Sequence, residues 1–162
     1  MSLQFTIGLP RSGKSTFANK WADEKPRRVI ISSDNIRLAL TGKRYEPLAE
    51  TMVFATKHVM IRAMLDRGFD VLVDGTHSTE ISLMRIFEID INAEPIIFDT
   101  RPEVCKSRAD ITGQSDLYPI IDRISTNLIR LGVWNVDQNK VHESIRLIKR
   151  KVQERNLYGK FE

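Results

Sequence analysis

Four short apolar runs punctuate the chain: LQFTIGL near the start, RVIIS at 28–32, FDVLVD at 69–74 and EPIIFDT at 94–100. They lack polar–apolar alternation and are rich in Val, Ile and Phe, so they read as strands of a parallel sheet covered on both faces. Helical stretches separate them: KSTFANKWADE after the first run, DNIRLAL after the second and TEISLMRIFEID after the third. A longer helix is expected from about Pro47 to Arg67, where Leu48, Met52, Ala55, Val59 and Ala63 recur at helical spacing and Gly68 supplies the stop. Beyond the fourth run come a helix from about Pro102, a gap at ITGQSDL, a second helix to Leu131 and a terminal helix with Val141, Ile145, Ile148 and Val152 on one face. Strand and helix alternate throughout, which predicts an α/β fold: a mostly parallel sheet of about four strands flanked by helices, with right-handed crossovers.

Between the first strand and the first helix lies GLPRSGKST, residues 8–16. Gly8, Gly13, Lys14 and Ser15 match G-x-x-x-x-G-K-[ST], and Thr16 follows. The glycines let a phosphate chain approach the backbone. The amides from about Arg11 through Ser12 to Ser15 are expected to point inward as an anion nest, at a helix N-terminus that adds partial positive charge. Lys14 is placed to reach the β and γ phosphates and the Ser15 hydroxyl to ligate Mg²⁺, so ATP and Mg²⁺ are the expected cofactors and a P-loop NTPase fold is the expected class. No N-K-x-D tetrad for reading guanine is present, which leaves a GTPase unsupported; the chain is also short for a motor. A small kinase is left.

In open α/β sheets ligands gather beyond the carboxyl ends of the strands. The second strand ends in SSDNIR, residues 32–37. If Ser33 caps the next helix, Asp34 and Arg37 project from one side of its first turn, Asp34 positioned to accept a proton from an attacking hydroxyl and Arg37 to hold a phosphate on the acceptor. The third strand ends in VDGTH, where Asp74 follows Val71, Leu72 and Val73 as in a Walker B strand whose carboxylate holds Mg²⁺, while Thr76 and His77 face the acceptor. After the fourth strand, RPEVCKSRAD offers Arg101, Lys106 and Arg108 on a helix leading into a lid, with Arg108 the candidate for charge on the migrating phosphoryl group. Arg123 and Arg130 share a face of the next helix. His58, inside the long helix, reads as a packing or surface residue.

Composition changes this picture little. At 162 residues, 41% hydrophobic and 28% charged, the chain fits one domain, 1–162, divided into a kinase core over 1–131 and a basic helical extension over 132–162. The start has no signal-like leader and no apolar run approaches membrane-spanning length, so a cytoplasmic protein without a membrane partner is expected. Cys105, the sole cysteine, excludes an internal disulfide and reads as a small, half-buried apolar side chain. Charge adds more. Lys140–Lys160 holds seven basic residues against two acidic ones, a net of +5, while the whole chain carries +4. That segment is a candidate contact for a phosphate-rich partner, with a solvated helix face as the competing reading.

GLPRSGKSTF, SSDNIR, VDGTH and RPEVCKSR, in this order and spacing, resemble the kinase module of 5′-hydroxyl polynucleotide kinases, over about residues 4–131. The resemblance implies transfer of the γ phosphate of ATP to the 5′-OH end of RNA or DNA. It assigns the general base to Asp34, the grip on the phosphate beside the acceptor nucleoside to Arg37, and service of the ATP phosphates from the lid to Arg108. Three departures stand out. His77 occupies a position that is mostly asparagine in that family, the usual second lid arginine is replaced by the stretch Ile111-Thr112-Gly113, and no D-x-D-x-T phosphatase motif is present, so a stand-alone kinase is expected. Two other readings stay open: a P-loop kinase of a nucleoside, nucleotide or metabolite, and a nucleotide-dependent binding module without turnover. No homo-oligomer is predicted.

Overall fold

The computed structural model describes residues 1–43 and 45–158. Four strands, β1 (Leu3–Ile7), β2 (Arg28–Ser32), β3 (Asp70–Asp74) and β4 (Glu94–Ile97), form one sheet in the order β2-β3-β1-β4. β3 pairs in parallel with β1, Leu3 opposite Val71, and with β2, Arg28 opposite Asp70. The two central strands are the buried ones, and the flanking β2 and β4 are only partly covered. This matches the order: a strand with one neighbour has one side left to solvent or loops. β1 stops at Ile7, short of the seven-residue run in the sequence, because the phosphate-loop motif begins at Gly8.

Among the described residues there are seven α-helices: α1 (Lys14–Asp23), α2 (Ser33–Thr41), α3 (Glu50–Asp66), α4 (Glu80–Ile89), α5 (Pro102–Ile111), α6 (Tyr118–Leu131) and α7 (Asn139–Tyr158). The chain divides into two compact units. One comprises residues 1–6, 14–75 and 94–96, and holds most of the sheet with α1, α2 and α3. The other comprises residues 7–13, 76–93 and 97 onward, with α4 to α7.

In the first unit α1 and α3 pack on β2 and β3, and Ala18 and Trp21 of α1 meet Leu72 in a small apolar cluster. Ser32, not Ser33, is the N-cap of α2: its hydroxyl accepts from the Asn35 amide at 3.5 Å, and Gly42 closes the helix in the left-handed region. The shift is one residue, and Asp34 and Arg37 remain on the first turn. α3 follows a 3-10 turn at Pro47–Ala49 and ends before Gly68, as expected. The stripe that signals α3 in the sequence is not the face it buries. Leu48, Met52 and Val59 are 93%, 60% and 65% exposed, and Val53, Lys57 and Ile61 are the buried positions. Lys57 is accommodated there with its ammonium 5.2 Å from the centre of the Phe54 ring.

In the second unit Thr79 caps α4 through a reciprocal pair of 3.2 Å hydrogen bonds with Ser82. α7 docks on α4 and α6 by Val141, Ile145, Ile148 and Val152, all buried, the face expected from the sequence. Cys105 packs as a small apolar side chain but is fully buried rather than half-buried. No helix among the described residues is long and apolar enough to cross a membrane.

Candidate functional site

Residues 8–13 of the Walker segment belong to the second unit. Arg11 holds φ 65° and Gly13 φ 101°, left-handed conformations alternating with ordinary ones, the backbone pattern that turns successive amides toward one side. Arg11 carries this at a steric cost that glycine avoids. Ser12 is buried; its amide donates to the Leu9 carbonyl at 3.2 Å and its carbonyl accepts from the Thr100 hydroxyl at 3.1 Å. Gly8 donates its amide to the Thr76 carbonyl at 3.1 Å. Arg108 reaches the loop: its Nη1 donates to the Arg11 carbonyl at 3.1 Å, and Arg11 Nη2 donates to the Arg108 carbonyl at 3.3 Å. Two guanidiniums are thereby held close to each other by backbone carbonyls, with no carboxylate in the exchange. That arrangement favours an anion between or beside them.

Lys14 and Ser15 open α1 in the first unit, Lys14 buried, Ser15 and Thr16 exposed. The Ser15 hydroxyl donates to Asp74 Oδ2 at 2.7 Å, which brings the two expected metal-holding residues together. Thr6 fixes the carboxylate from below: its hydroxyl donates to the Gly75 carbonyl at 2.8 Å, accepts from the Gly75 amide at 3.0 Å and lies 3.3 Å from Asp74 Oδ1. A fully buried threonine inside the apolar run LQFTI is a visible anomaly in the sequence, and it marks this support. A hydroxyl and a carboxylate are hard oxygen donors that suit Mg²⁺, which takes few protein ligands and completes its shell with phosphate and water. Among the described residues no group of three or more His, Cys, Asp or Glu gathers into an all-protein metal cage, and this chemistry does not need one.

Asp34 is 81% exposed, and Arg37 Nη1 approaches its Oδ1 at 2.5 Å. The other side of the same guanidinium is taken by Glu50, Nε to Oε1 at 2.5 Å and Nη2 to Oε2 at 3.0 Å. Arg37 therefore uses three of its five N–H groups on two carboxylates. Glu50 was not legible as a partner, being 13 residues away across a loop. The bidentate bond from Arg37 holds the Glu50 carboxyl below the usual carboxylate range, and Glu50 in turn raises Arg37 further. A depressed carboxyl contributes stability above its unfolded value that is lost as pH falls through the folded one. Glu50→Gln is accordingly expected to lower stability at pH 7, by no more than about 1 kcal/mol for a partly exposed pair, and the difference is expected to shrink as pH falls below the ordinary carboxylate range. Thermal melts of both proteins across a series of falling pH check this.

Thr76 is half-buried and His77 buried, with His77 at φ 37°. His58 accepts from Arg62 Nε at 2.9 Å, a local helix contact as expected of a surface residue. Arg123 and Arg130 are both exposed on α6. Part of the basic charge of α7 is paired with neighbours. Lys151 pairs with Glu80 at 2.6 Å, Arg155 with Glu88 at 3.3 Å and Lys140 with Glu143 at 3.6 Å, and Lys149 donates to the Ala93 carbonyl at 3.3 Å. Arg146 and Arg150 point to solvent. Lys160 lies outside the described residues.

Residues 3–114 match the model of an AAA domain, AAA_33. The chain belongs to that AAA-domain family. It has the fold of P-loop kinases, and three solved structures show the range. A chain of the Pnkp1/Rnl/Hen1 RNA repair complex aligns with TM-score 0.71 and 23% identity over 80% of this chain and 44% of its own. A gluconokinase from Sinorhizobium meliloti aligns with TM-score 0.59 and 16% identity over 99% and 98%. A shikimate kinase from Acinetobacter baumannii aligns with TM-score 0.52 and 16% identity over 100% and 96%. The chain thus spans less than half the length of the Pnkp1-complex chain it matches. No curated protein matches the sequence at a significant level.

Proposed function

We propose that this AAA-family member is an ATP-dependent kinase that transfers the γ phosphate to the 5′ hydroxyl of a polynucleotide, with Asp34 as general base. The observation that carries the reading is the pair opening α2: an exposed carboxylate beside a guanidinium whose position is fixed by Glu50. Asp34 takes the proton of the 5′ hydroxyl, its oxygen bonds to the γ phosphorus, and the bond from that phosphorus to the β–γ bridging oxygen breaks, releasing ADP. Arg37 presents its remaining N–H groups to the phosphate next to the acceptor nucleoside, with Thr76 and His77 beside the acceptor. Lys14, Arg11 and Arg108 balance charge on the triphosphate, and the Gly8, Ser12, Gly13 and Thr16 segment supplies the backbone cradle. Ser15 and Asp74 would hold Mg²⁺, which neutralises phosphate oxygens when bound. The enzyme acts in the cytoplasm on RNA or DNA ends.

A second reading, a small-molecule acceptor, is favoured by one fact: the gluconokinase aligns over nearly the whole of both chains, whereas the match in the RNA repair complex uses 44% of that chain. Incubation with γ-labelled ATP, a 5′-OH oligonucleotide and a panel of nucleosides, nucleotides and sugars separates the two. Label on the oligonucleotide is expected; label on a small molecule alone rejects the polynucleotide reading.

Salt gives an independent measure. With Arg146 and Arg150 exposed on α7 as two phosphate contacts, log KM for an oligonucleotide is expected to rise by about one to two per log unit of salt, near 0.9 per phosphate contact. Absence of any slope would remove α7 as a nucleic-acid contact.

A further inference from the structure

The apolar stripe of α3 faces solvent. Leu48, Met52, Ala55, Val59 and Ala63 recur at steps of three or four residues, all of them exposed, on the side of the helix away from the buried Val53, Lys57 and Ile61. A stripe turned inward is covered by the molecule itself, whereas one left outside over about four turns is the seam by which one helix pairs with another. No charged residue occurs among the five, the composition of an interface centre rather than of a solvated face; Arg62 and Asp66 stand beside the C-terminal end.

Side-chain size along the stripe is graded. The bulky Leu48 and Met52 occupy the N-terminal end, Ala55 the middle, and the smaller Val59 and Ala63 the C-terminal end. Two parallel copies would set Leu48 on Leu48 and leave a gap between the two Ala63 side chains. Two antiparallel copies related by a two-fold axis at Ala55 set Leu48 against Ala63, Met52 against Val59 and Ala55 against itself. Large then meets small at both ends, and the helices come closest at the alanine. These pairings share one midpoint in the sequence, so they need no shift of register. We infer that this face joins the chain to a second copy of itself, α3 lying antiparallel to α3 in an isologous dimer. Five exposed positions of these types offer roughly 450 Å² on each copy, and with the flanking Thr51, Arg62 and Asp66 the pair reaches the roughly 1,000 Å² at which a specific interface begins. An interface of that size makes a reversible dimer, not an obligate one.

Sedimentation velocity on the full chain, over a dilution series from about 1 μM to 1 mM, is expected to show a reversible rise in mass from 18.6 kDa to twice that value. Ala55→Glu sets two like charges face to face at the axis and should weaken association by at least about a hundredfold, while the position, exposed in the single chain, keeps the variant folded. Cross-linking then reads the geometry. Cys105 is buried, so wild type should form no disulfide under mild oxidation. Ala55→Cys should link to itself. Leu48→Cys and Ala63→Cys should each stay unlinked alone and link to one another when mixed. These cysteine variants are conservative and serve if Ala55→Glu unfolds. A wild type that stays at the single-chain mass throughout overturns the dimer, as does one whose association Ala55→Glu leaves unchanged. Self-linking of Leu48→Cys, or none by Ala55→Cys, overturns the antiparallel pairing.

Discussion

Asp34→Ala is expected to lower kcat by about 10²–10⁴, the contribution of a well-placed general base, while ATP affinity changes little. Converted at 1.36 kcal/mol per decade, the loss is about 3–5 kcal/mol of transition-state stabilisation. The split between kcat and binding follows from where Asp34 sits. Its side chain is exposed, and its hydrogen bond runs to Arg37, which Glu50 continues to hold by two bonds when Asp34 is gone. Folding and the position of Arg37 should therefore survive the substitution. Asp34→Asn keeps the shape and the hydrogen bond to Arg37 but cannot take a proton at neutral pH, so it should match Ala in kcat. Steady-state rates on the labelled acceptor, with ATP binding measured by titration, decide the matter. Turnover within about threefold of wild type in either variant removes Asp34 as the base.

How much of this was legible in the sequence depends on the range of the interactions. The strands were, because a run such as DVLVD at Asp70–Asp74 carries three consecutive apolar residues, all buried, and needs no partner to be recognised. The Walker segment was, because its mechanism is local: glycines, a lysine and a hydroxyl at fixed spacing. Burial of α3 was not. Two apolar stripes run along that helix, and only the packing of α3 on β2 and β3 selects Val53, Lys57 and Ile61 over Leu48, Met52 and Val59. A buried lysine is a choice no hydropathy pattern favours. Glu50 escaped for a similar reason, since its bond to Arg37 joins two helices across a loop whose path the sequence does not specify. The charge count of α7 was legible and its ion pairs were not, because Glu80 and Glu88 on α4 lie opposite Lys151 and Arg155 only after the two helices dock.

Gly8→Ala tests the loop itself, and its expected effect is the other large one. A Cβ at residue 8 would lie 2.8 Å from Phe98 Cβ, 3.0 Å from the Phe98 carbonyl oxygen and 3.1 Å from Ser12 Oγ. The first two neighbours have nowhere to go, because Phe98 is tied beside β1 by the hydrogen bond its amide donates to the Ile7 carbonyl at 2.8 Å. The loop must move instead, taking with it the Gly8–Thr76 bond and the alignment of Ser12. Overpacking of this kind costs about 1–3 kcal/mol, which for a chain of this length lowers Tm by roughly 3–10 °C. The second consequence is sharper. ATP at a hundredfold excess over its Kd adds about 2.7 kcal/mol to wild-type stability, and the displaced loop should abolish that gain. Gly42→Ala is the control, since Gly42 at φ 68° has no atom within 4 Å of the added methyl and lies in the turn after α2. It should lose about 1–2 kcal/mol from the left-handed backbone alone and keep its ATP-induced shift. A Gly8→Ala protein that melts lower but still gains full stability from ATP would show that the phosphates are bound elsewhere.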